Sequence, residues 1–239
     1  MAHDIYQDDL AQIHIEGYGF HWERAAPALL GFLERYGIAR GTVVDLGCGG
    51  GQWLARLAEE GYAVCGVDLS ASMIEAARRL VPAGTFIHGS IDEVELPPCD
   101  AVTSLGEPIN YLASGDAIRR VFRNVHAALR PGGVFIFDAR EPAAGPVEPR
   151  VVTRVGDTWA CIAHIEEDHE AGTIVRDITT FRQIGEDYRR GHEIHRLKVF
   201  PKNETVGWLR ELGFPVRTFR GYGEYRFGPR QSAYVARKT

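Results

Sequence analysis

The sequence predicts an α/β fold in which a mainly parallel, doubly wound sheet of seven strands carries an antiparallel insertion after its fifth strand. Three observations support this prediction. Short apolar strands alternate with helices over residues 40–140, one of these strands runs directly into a glycine-rich loop at residues 42–51 (TVVDLGCGGG), and residues 151–200 are dense in β-forming residues. Strands that are apolar along their whole length are typical of a parallel sheet with helices on both faces.

The elements of the parallel sheet follow from hydrophobic runs and stop signals, taken in chain order. Helices are expected at 22–36, 52–60, up to residue 80, and 116–129, and strands at 42–46, 63–68, 85–89, 100–105 and 134–138. Gly61 ends the second helix, and Ser70 or Ser72 caps the third. Right-handed crossovers place the carboxyl ends of all these strands at one edge, so the loops that follow them are expected to form one cleft.

The second half of the sequence changes character after Asp138. A proline-rich connection leads into residues 151–200, whose turn signals predict three or four antiparallel strands. Three further elements close the chain: a helix at 203–212 and strands at 216–222 and 232–237. We therefore expect two parts, which are a core of residues 1–140 and 201–239 with an N-terminal lid at 1–24, and an antiparallel insertion of residues 141–200 that roofs the substrate cleft.

Composition limits the classes of function. The 239 residues carry a formal net charge of −5, which argues against a nucleic-acid surface, and no apolar run is long enough to cross a bilayer. The N-terminus does not resemble a signal peptide, and four scattered cysteines predict reduced, buried thiols rather than disulfides. The histidines and Cys48 show no metal-ligand spacing. We predict a cytoplasmic protein with a small-molecule substrate, monomeric or homodimeric, that binds no nucleic acid, membrane or metal.

The glycine-rich loop at residues 42–51 is typical of a site for a nucleotide-like ligand. A dinucleotide-binding loop has a final glycine where this chain has Gln52, and Asp45 at the strand end would repel a pyrophosphate. S-adenosylmethionine suits Asp45 better because it carries a sulfonium, an ammonium group and no phosphate. Asp68 ends the next strand about 20 residues after the loop, the spacing of a carboxylate that binds ribose hydroxyls. Asp68 alone does not distinguish the two ligands.

The series of motifs resembles that of the class I S-adenosylmethionine-dependent methyltransferases. The motifs lie, in order, at residues 43–51, 66–70, 89–92, 100–107 and 129–138. This resemblance implies a Rossmann-like fold, S-adenosylmethionine as cofactor and S-adenosylhomocysteine as product. The β-rich second half is similar to that of small-molecule N-methyltransferases of the amino-sugar or glycine type, so N-methylation is favoured over O-methylation. The family commonly has an acidic residue at the position of Ser90, so adenine recognition is expected to use the Ser90 hydroxyl, the Ile91 backbone or Asp92.

The resemblance also implies a set of cofactor-binding residues. They are Asp45, Gly47, Cys48, Gly49, Asp68, Leu69, Met73, Ser90, Ile91, Leu105, Gly106 and Trp22. The glycines would admit the methionine part of the cofactor, and Asp68 would bind the ribose. The structural alternatives are a loop that needs glycine only for its geometry, a helix cap at Asp68 and a core position for Met73.

Three residues are candidates for catalysis. Glu107 follows the fourth strand, where a carboxylate could orient an amine or take its proton, and its alternative role is to cap a local N–H group. His21 and Tyr18 lie in the aromatic N-terminal run, which could close over the methyl group or only anchor the segment. The leading hypothesis is a methyltransferase acting on a small metabolite. A dinucleotide-dependent oxidoreductase and a non-catalytic S-adenosylmethionine-binding module are the alternatives.

Overall fold

The computed structural model describes residues 5–239, so residues 1–4 of the predicted N-terminal lid lie outside the described part. The helices of the described part are α1 Asp8–Gly17, α2 Phe20–Arg35, α3 Gln52–Glu59, α4 Ala71–Leu80, α5 Gly115–Ala128 and α6 Lys202–Glu211. The strands are β1 Thr42–Leu46, β2 Ala63–Asp68, β3 Thr85–His88, β4 Cys99–Ser104, β5 Leu129–Arg140, β6 Arg150–Val155, β7 Trp159–Asp168, β8 Thr173–Ile184, β9 Asp187–Lys198, β10 Val216–Phe219, β11 Gly221–Tyr222, β12 Tyr225–Arg226 and β13 Gln231–Arg237. None of the described helices combines the length and apolar character that a membrane span needs.

The large sheet has the strand order β10-β13-β5-β4-β1-β2-β3. Strands β1 to β5 pair in parallel, whereas β13 runs antiparallel to both β5 and β10. The order reverses at β1, which pairs with β2 on one side and β4 on the other. This arrangement confirms the predicted fold class and places the switch point at the carboxyl end of β1, where the glycine loop begins.

Helices cover both faces of this sheet because their apolar sides are buried against it. On one face α5 contributes Val121, Phe122 and Val125, all with no exposed surface, and α6 adds Leu209. On the other face α2, α3 and α4 pack into a second cluster that includes the fully buried Leu54. Burial of one such side chain is worth about 1.5–3 kcal/mol, so these two layers hold the strand ends of the cleft in fixed positions.

The insertion forms a separate four-stranded antiparallel sheet in the order β6-β7-β8-β9. Its strands follow the predicted turn signals, because each hairpin turn contains one of the glycines at 156, 172 and 185. Residues of β7, β8 and β9 from one face line a cavity shared with the large sheet. The boundaries at 140/141 and 200/201 remain a prediction.

Several local predictions need correction. Residues 8–17 form a helix that the sequence was not expected to contain, and α2 begins two residues earlier than predicted. The cap of α4 is Ser70, whose Oγ accepts a hydrogen bond from Met73 N (3.2 Å). Ser72 instead donates to the carboxylate of Asp8, so the capping box does not form. The segment at 216–222 is interrupted before Gly221, where φ is 151° and an added Cβ would lie 2.0 Å from the Tyr225 carbonyl oxygen.

Candidate active site

A cavity of about 410 Å³ lies between the carboxyl edge of the large sheet and the inner face of the antiparallel sheet. Ten of the predicted site residues line it: Tyr18, His21, Trp22, Asp45, Gly47, Cys48, Gly49, Leu105, Gly106 and Glu107. The other five lie outside its walls: Asp68, Leu69, Met73, Ser90 and Ile91. The structure thus brings the residues predicted for the methionine side and for catalysis together, and it places the residues predicted for adenosine behind the glycine loop.

Backbone geometry explains the glycines of the loop after β1. Gly47 and Gly49 have φ values of 73° and 53°, in the region that side chains with a Cβ rarely adopt. A Cβ on Gly47 would also come within 2.5 Å of the Pro108 ring, and one on Gly50 within 2.7 Å of Ile15. The loop therefore has a structural reason for its glycines, and the same reason keeps its backbone open to a ligand.

Asp45, the second-last residue of β1, is a buried carboxylate that lines the cavity. Its Oδ1 accepts a hydrogen bond from Thr103 Oγ1 at 2.6 Å, and Thr103 Oγ1 in turn lies 3.2 Å from Trp53 Nε1. Burial raises the pKa of Asp45 to about 7 against the opposing effect of the Thr103 hydrogen bond. Burial makes the ionised form of Asp45 unfavourable, so a cationic ligand beside it would be stabilising and a diphosphate would be repelled.

Asp68 lies at the end of β2, against the glycine loop. Its Oδ2 accepts from Gly49 N and its Oδ1 from Ser70 N, both at 2.9 Å, so it joins the loop to the start of α4. Burial raises its pKa, while these backbone donors lower it. The helix cap is Ser70 rather than Asp68. Met73 is 2% exposed and its sulfur lies next to the glycine loop, which suits either a core position or an adenosine contact.

In the loop after β3, the polar side chains form hydrogen bonds and an ion pair within the protein. The Ser90 hydroxyl donates to Asp92, and Asp92 also pairs with Arg120. Asp92 is therefore engaged in an ion pair with α5. The Ser90 hydroxyl oxygen keeps its acceptor capacity, and the roles of Ser90 and Ile91 toward adenine stay predictions.

Glu107 sits in a strained turn between two arginines. Its φ is 72°, an unfavourable conformation for a residue with a side chain, and both of its carboxylate oxygens are in ion pairs. Arg140 Nη2 lies 2.8 Å from Oε1, and Arg176 Nη2 lies 2.8 Å from Oε2. Burial would raise the pKa of Glu107, but the two guanidinium groups outweigh it and lower the pKa. A carboxylate held ionised in this way is a weak proton acceptor, which argues against Glu107 as a general base.

Asp138 holds the turn that carries Glu107. The Asp138 carboxylate is 2% exposed and accepts hydrogen bonds from the backbone N–H groups of Gly106 and Glu107, both at 3.0 Å. It also accepts from Tyr222 Oη at 3.2 Å and from Gln231 Nε2 at 3.1 Å. The fifth strand thus fixes the loop after the fourth strand at the mouth of the cavity.

His21 and Tyr18 approach the cavity from the N-terminal segment. His21 Nδ1 lies 2.6 Å from Tyr225 Oη, and burial lowers the pKa of the imidazole. Tyr18 stacks on His14 with ring centroids 5.2 Å apart, and burial raises the pKa of its phenol to about 12. His21 is consequently neutral near pH 7 and able to accept a proton, whereas Tyr18 keeps its proton. Among residues 5–239, the buried indole N–H of Trp22 has no hydrogen-bond partner.

The predicted site does not include a second group of residues in and beside the cavity. Tyr6 Oη lies 3.2 Å from Tyr111 Oη, which lies 3.1 Å from His195 Nδ1, and His195 Nε2 lies 2.9 Å from the Glu193 carboxylate. Arg176 was not recognised at all. For Arg176 on β8 and His195 on β9 the signal is strand alternation, which shows that strand residues share a face but not which face meets the cleft. Tyr6 and Tyr111 lie outside the strands and have no such signal.

The comparisons with known proteins agree with this geometry. A family described as "Methyltransferase domain" matches residues 43–133. The putative methyltransferase YqeM of Bacillus subtilis (strain 168) is 29% identical over 74% of this chain and 74% of its own length. The dTDP-3-amino-3,6-dideoxy-alpha-D-glucopyranose N,N-dimethyltransferase of Streptomyces fradiae is 26% identical over 90% of this chain and 88% of its own. The carboxy-S-adenosyl-L-methionine synthase of Aliivibrio fischeri (strain MJ11) is 30% identical over 83% and 72%.

Solved structures show the same fold. An S-adenosylmethionine-dependent methyltransferase from Clostridium acetobutylicum superimposes with a TM-score of 0.83 at 17% identity, over 96% of this chain and 98% of that one. CalS10, an amino pentose methyltransferase from Micromonospora echinaspora solved with S-adenosylmethionine bound, gives 0.76 at 20% identity over 95% and 96%. The sheet order and the loop after β1 therefore match the Rossmann-like fold of class I methyltransferases. The chain belongs to the S-adenosylmethionine-dependent methyltransferase family, and S-adenosylmethionine is its cofactor.

The described residues fit this cofactor. The loop after β1 has no room for side chains at Gly47 and Gly50, and Asp45 presents a buried carboxylate suited to a cation. Asp68 stands behind the loop where a ribose-binding carboxylate is expected. Within residues 5–239 no three His, Cys, Asp or Glu side chains are grouped so that they could hold a metal ion.

Replacing Asp45 should raise the stability of the cofactor-free protein at alkaline pH. The pKa of Asp45 is about 7 in the folded chain against an ordinary 3.8, so its contribution to stability is complete below pH 3.8 and is lost as the pH rises through 7. Asp45→Asn removes the cost of the buried charge. We expect the variant to melt at a higher temperature than wild type at pH 8, with the difference shrinking toward pH 4. Thermal unfolding across this pH range measures it.

S-adenosylhomocysteine supplies the control for this prediction. The ligand should raise the melting temperature of the wild-type protein far more than that of Asp45→Asn, because only the wild type offers a carboxylate to its ammonium group. A variant that is less stable than wild type at pH 8 would contradict the argument.

Proposed function

We propose that this enzyme transfers a methyl group from S-adenosylmethionine to the nitrogen of a small-molecule amine. The observation that carries the proposal is the cavity of about 410 Å³, whose walls include Asp45 and the glycine loop together with His21 and the ion-paired Glu107. The sequence relative from Streptomyces fradiae is named for N,N-dimethylation of an amino sugar, which supports nitrogen as the acceptor atom.

The cofactor half of the site would be built from the parallel sheet. Gly47 and Gly49 would contact the methionine part, Asp45 would favour its positive charge, and Asp68 would bind the ribose hydroxyls. Leu105 and Gly106 line the cavity beside them. S-adenosylmethionine supplies an electrophilic methyl group whose leaving group is neutral, so no protein acid is needed to protonate it.

The acceptor half would deliver the amine in its unprotonated form. Alignment of the reacting atoms can supply about 7–11 kcal/mol of the rate gain. The amine must also lose a proton, and His21 suits this role because burial keeps it neutral and Tyr225 fixes its Nδ1. Glu107, with its lowered pKa, would orient the acceptor rather than take its proton.

The segment of Tyr6 and α1 supports the predicted lid. The Tyr6 carbonyl oxygen accepts from Ser70 Oγ at 2.7 Å, while its N–H donates to Glu193 Oε2 at 2.7 Å. One residue thus spans the parallel sheet layer and the antiparallel sheet. These hydrogen bonds would hold the lid against both layers, and a lid in this position would help to exclude water from the transfer.

Transfer of label tests the proposed function directly. The purified chain would be incubated with methyl-labelled S-adenosylmethionine and a panel of amines and matched alcohols that includes amino sugars and amino acids. Mass spectrometry should find label on nitrogen. Label on oxygen alone, or on none of the panel while S-adenosylhomocysteine binds, would reject N-methylation of small amines.

His21→Gln should lower kcat by about 100-fold, the usual contribution of a general base. Because burial lowers the pKa of His21, the wild-type kcat should already be at its plateau near pH 7 and should fall only at more acidic pH. The variant should lose this acidic limb, and Tyr225→Phe should retain it. Steady-state kinetics from pH 5 to 9 measures both. An unchanged pH profile in His21→Gln would assign the proton to another acceptor.

A further inference from the structure

Arg176 places a positive charge inside the cavity on the side away from the glycine loop. It lies on β8 directly opposite His195 of β9, lines the cavity, and its side chain is 24% exposed. We propose that Arg176 binds an anionic group, a carboxylate or a phosphate, on the methyl acceptor itself. This inference rests on the proposed function and names the acceptor class as a small amine that also carries an anion.

The ion pairs around Glu107 leave Arg176 short of a counterion. Arg140 uses both Nε (2.9 Å) and Nη2 (2.8 Å) on Oε1 of Glu107, and Arg176 uses only Nη2 (2.8 Å) on Oε2. One carboxylate therefore serves two guanidinium groups. The nearby Asp138 does not help, because its hydrogen bonds go to backbone N–H groups, Tyr222 and Gln231. Two buried guanidinium groups that share one carboxylate keep an excess positive charge, and a ligand anion would neutralise it.

The hydroxyl groups beside Arg176 are arranged as donors. The Glu193 carboxylate accepts N–H bonds from Tyr6 (2.7 Å) and Gln7 (2.9 Å), so His195 Nε2 donates to it and His195 Nδ1 is an acceptor. Nδ1 accepts a hydrogen bond from Tyr111 Oη, and Tyr111 Oη accepts one from the Tyr6 hydroxyl. The tautomer follows from this network. Tyr6 and Arg176 line the same cavity, and the Tyr6 hydroxyl could donate to a ligand anion there in place of Tyr111.

The size of the cavity limits the acceptor. Its volume of about 410 Å³ is in the lower part of the range of about 300–1,000 Å³ for ligand sites, and it must also hold the methyl-bearing end of the cofactor. The remaining space suits an acceptor of a few heavy atoms around its amine and its anion. A guanidinium fork binds carboxylate and phosphate with similar geometry, so the chemistry on this wall is shared by both.

A matched panel of acceptors tests the inference in the wild-type chain. Each amine is offered to the full-length enzyme with a carboxylate, with a phosphate ester, and with a neutral amide in the same position. We expect kcat/KM to be at least about 30-fold higher for one of the anionic forms, the usual value of a charge-assisted hydrogen bond. The preferred anion distinguishes carboxylate from phosphate. Equal kcat/KM for neutral and anionic amines would overturn the inference while leaving N-methylation intact.

Variants at Arg176 test whether this residue causes the preference for anionic acceptors. Arg176→Gln should raise KM for the anionic acceptor by about 30-fold or more with kcat changed only a few-fold, and Arg176→Lys should fall between it and wild type. Arg196→Gln is the matched control, since Arg196 is an exposed arginine of β9 outside the cavity. An unchanged KM in Arg176→Gln would also overturn the inference.

A binding assay decides the case if no amine of the panel is methylated. Formate, acetate and inorganic phosphate would be titrated into protein saturated with S-adenosylhomocysteine, and thermal unfolding recorded. One of these anions should raise the melting temperature of wild type and Arg196→Gln but not of Arg176→Gln. The proposed function would then have failed while the anion site stands. Equal shifts in all three proteins would show that the anions act elsewhere and would reject the site.

Discussion

Asp68→Ala should weaken binding of S-adenosylhomocysteine by about 100-fold or more and abolish methyl transfer. Hydrogen bonds that the two ribose hydroxyls donate to a carboxylate are each worth about 1.5–3 kcal/mol. The same substitution frees Gly49 N and Ser70 N, which Asp68 now holds at 2.9 Å, so the glycine loop also loses its attachment to α4. Isothermal titration calorimetry measures the loss of affinity.

Two further variants make this result specific. Asp68→Asn keeps the shape of the side chain and should still lose most of the affinity, because a neutral amide is a weaker acceptor. Glu75→Gln changes an exposed carboxylate of α4, whose side chain is 72% exposed, and should bind as wild type does. Binding by Asp68→Ala within threefold of wild type would remove Asp68 from the cofactor site.

Glu107→Gln should lower the free energy of unfolding by roughly 3–5 kcal/mol, the usual cost of removing one partner from a buried ion pair. The substitution leaves Arg140 and Arg176 facing each other without the carboxylate that both now contact at 2.8 Å. Urea unfolding followed by circular dichroism measures the change. The effect should be larger at low ionic strength, where screening of the two guanidinium groups is weakest.

The double variant Glu107→Gln, Arg176→Gln shows how much of the stability loss comes from the unpaired charge and how much from changed packing. Removing one guanidinium together with the carboxylate should recover part of the lost stability. Glu166→Gln, an exposed carboxylate on β7, should change the free energy of unfolding by less than about 0.5 kcal/mol. A loss of under 1 kcal/mol in Glu107→Gln would show that the arginines are well solvated without their partner.

The parallel sheet and the cofactor loop were predictable because their signals are local. A strand such as Thr42–Leu46 is apolar apart from Thr42 and Asp45, which a short sequence window shows. Gly47 and Gly49, which follow it, have positive φ angles, a requirement of the local backbone alone. Helix α1 was missed although Leu10 and Ile13, three residues apart, are both buried, because the N-terminal segment was interpreted only as a lid and its apolar spacing was not analysed.

The acceptor wall was not predictable for a different reason. Arg176 belongs to a strand with two faces, and the sequence does not show which face lines the cavity. The pairing of the strands decides this, since Arg176 lies opposite His195 of β9 and Ile178 lies opposite Ala163 of β7. Glu107 was found as a candidate because it follows β4, but its two arginines come from β5 and β8. Contacts between segments so far apart in the chain have no local signature, and they reversed the expected protonation behaviour of the carboxylate.

The two halves of the cavity come from different stretches of polypeptide, and this division has an evolutionary consequence. Asp45 and the glycine loop precede residue 52, whereas Arg176 and His195 belong to one contiguous hairpin array between Arg150 and Lys198. Exchange of that array alone could change which molecule is methylated without altering the binding of S-adenosylmethionine. Grafting it between distant homologues is therefore a direct route to new acceptor preferences, with the joints placed in the loops that flank the array.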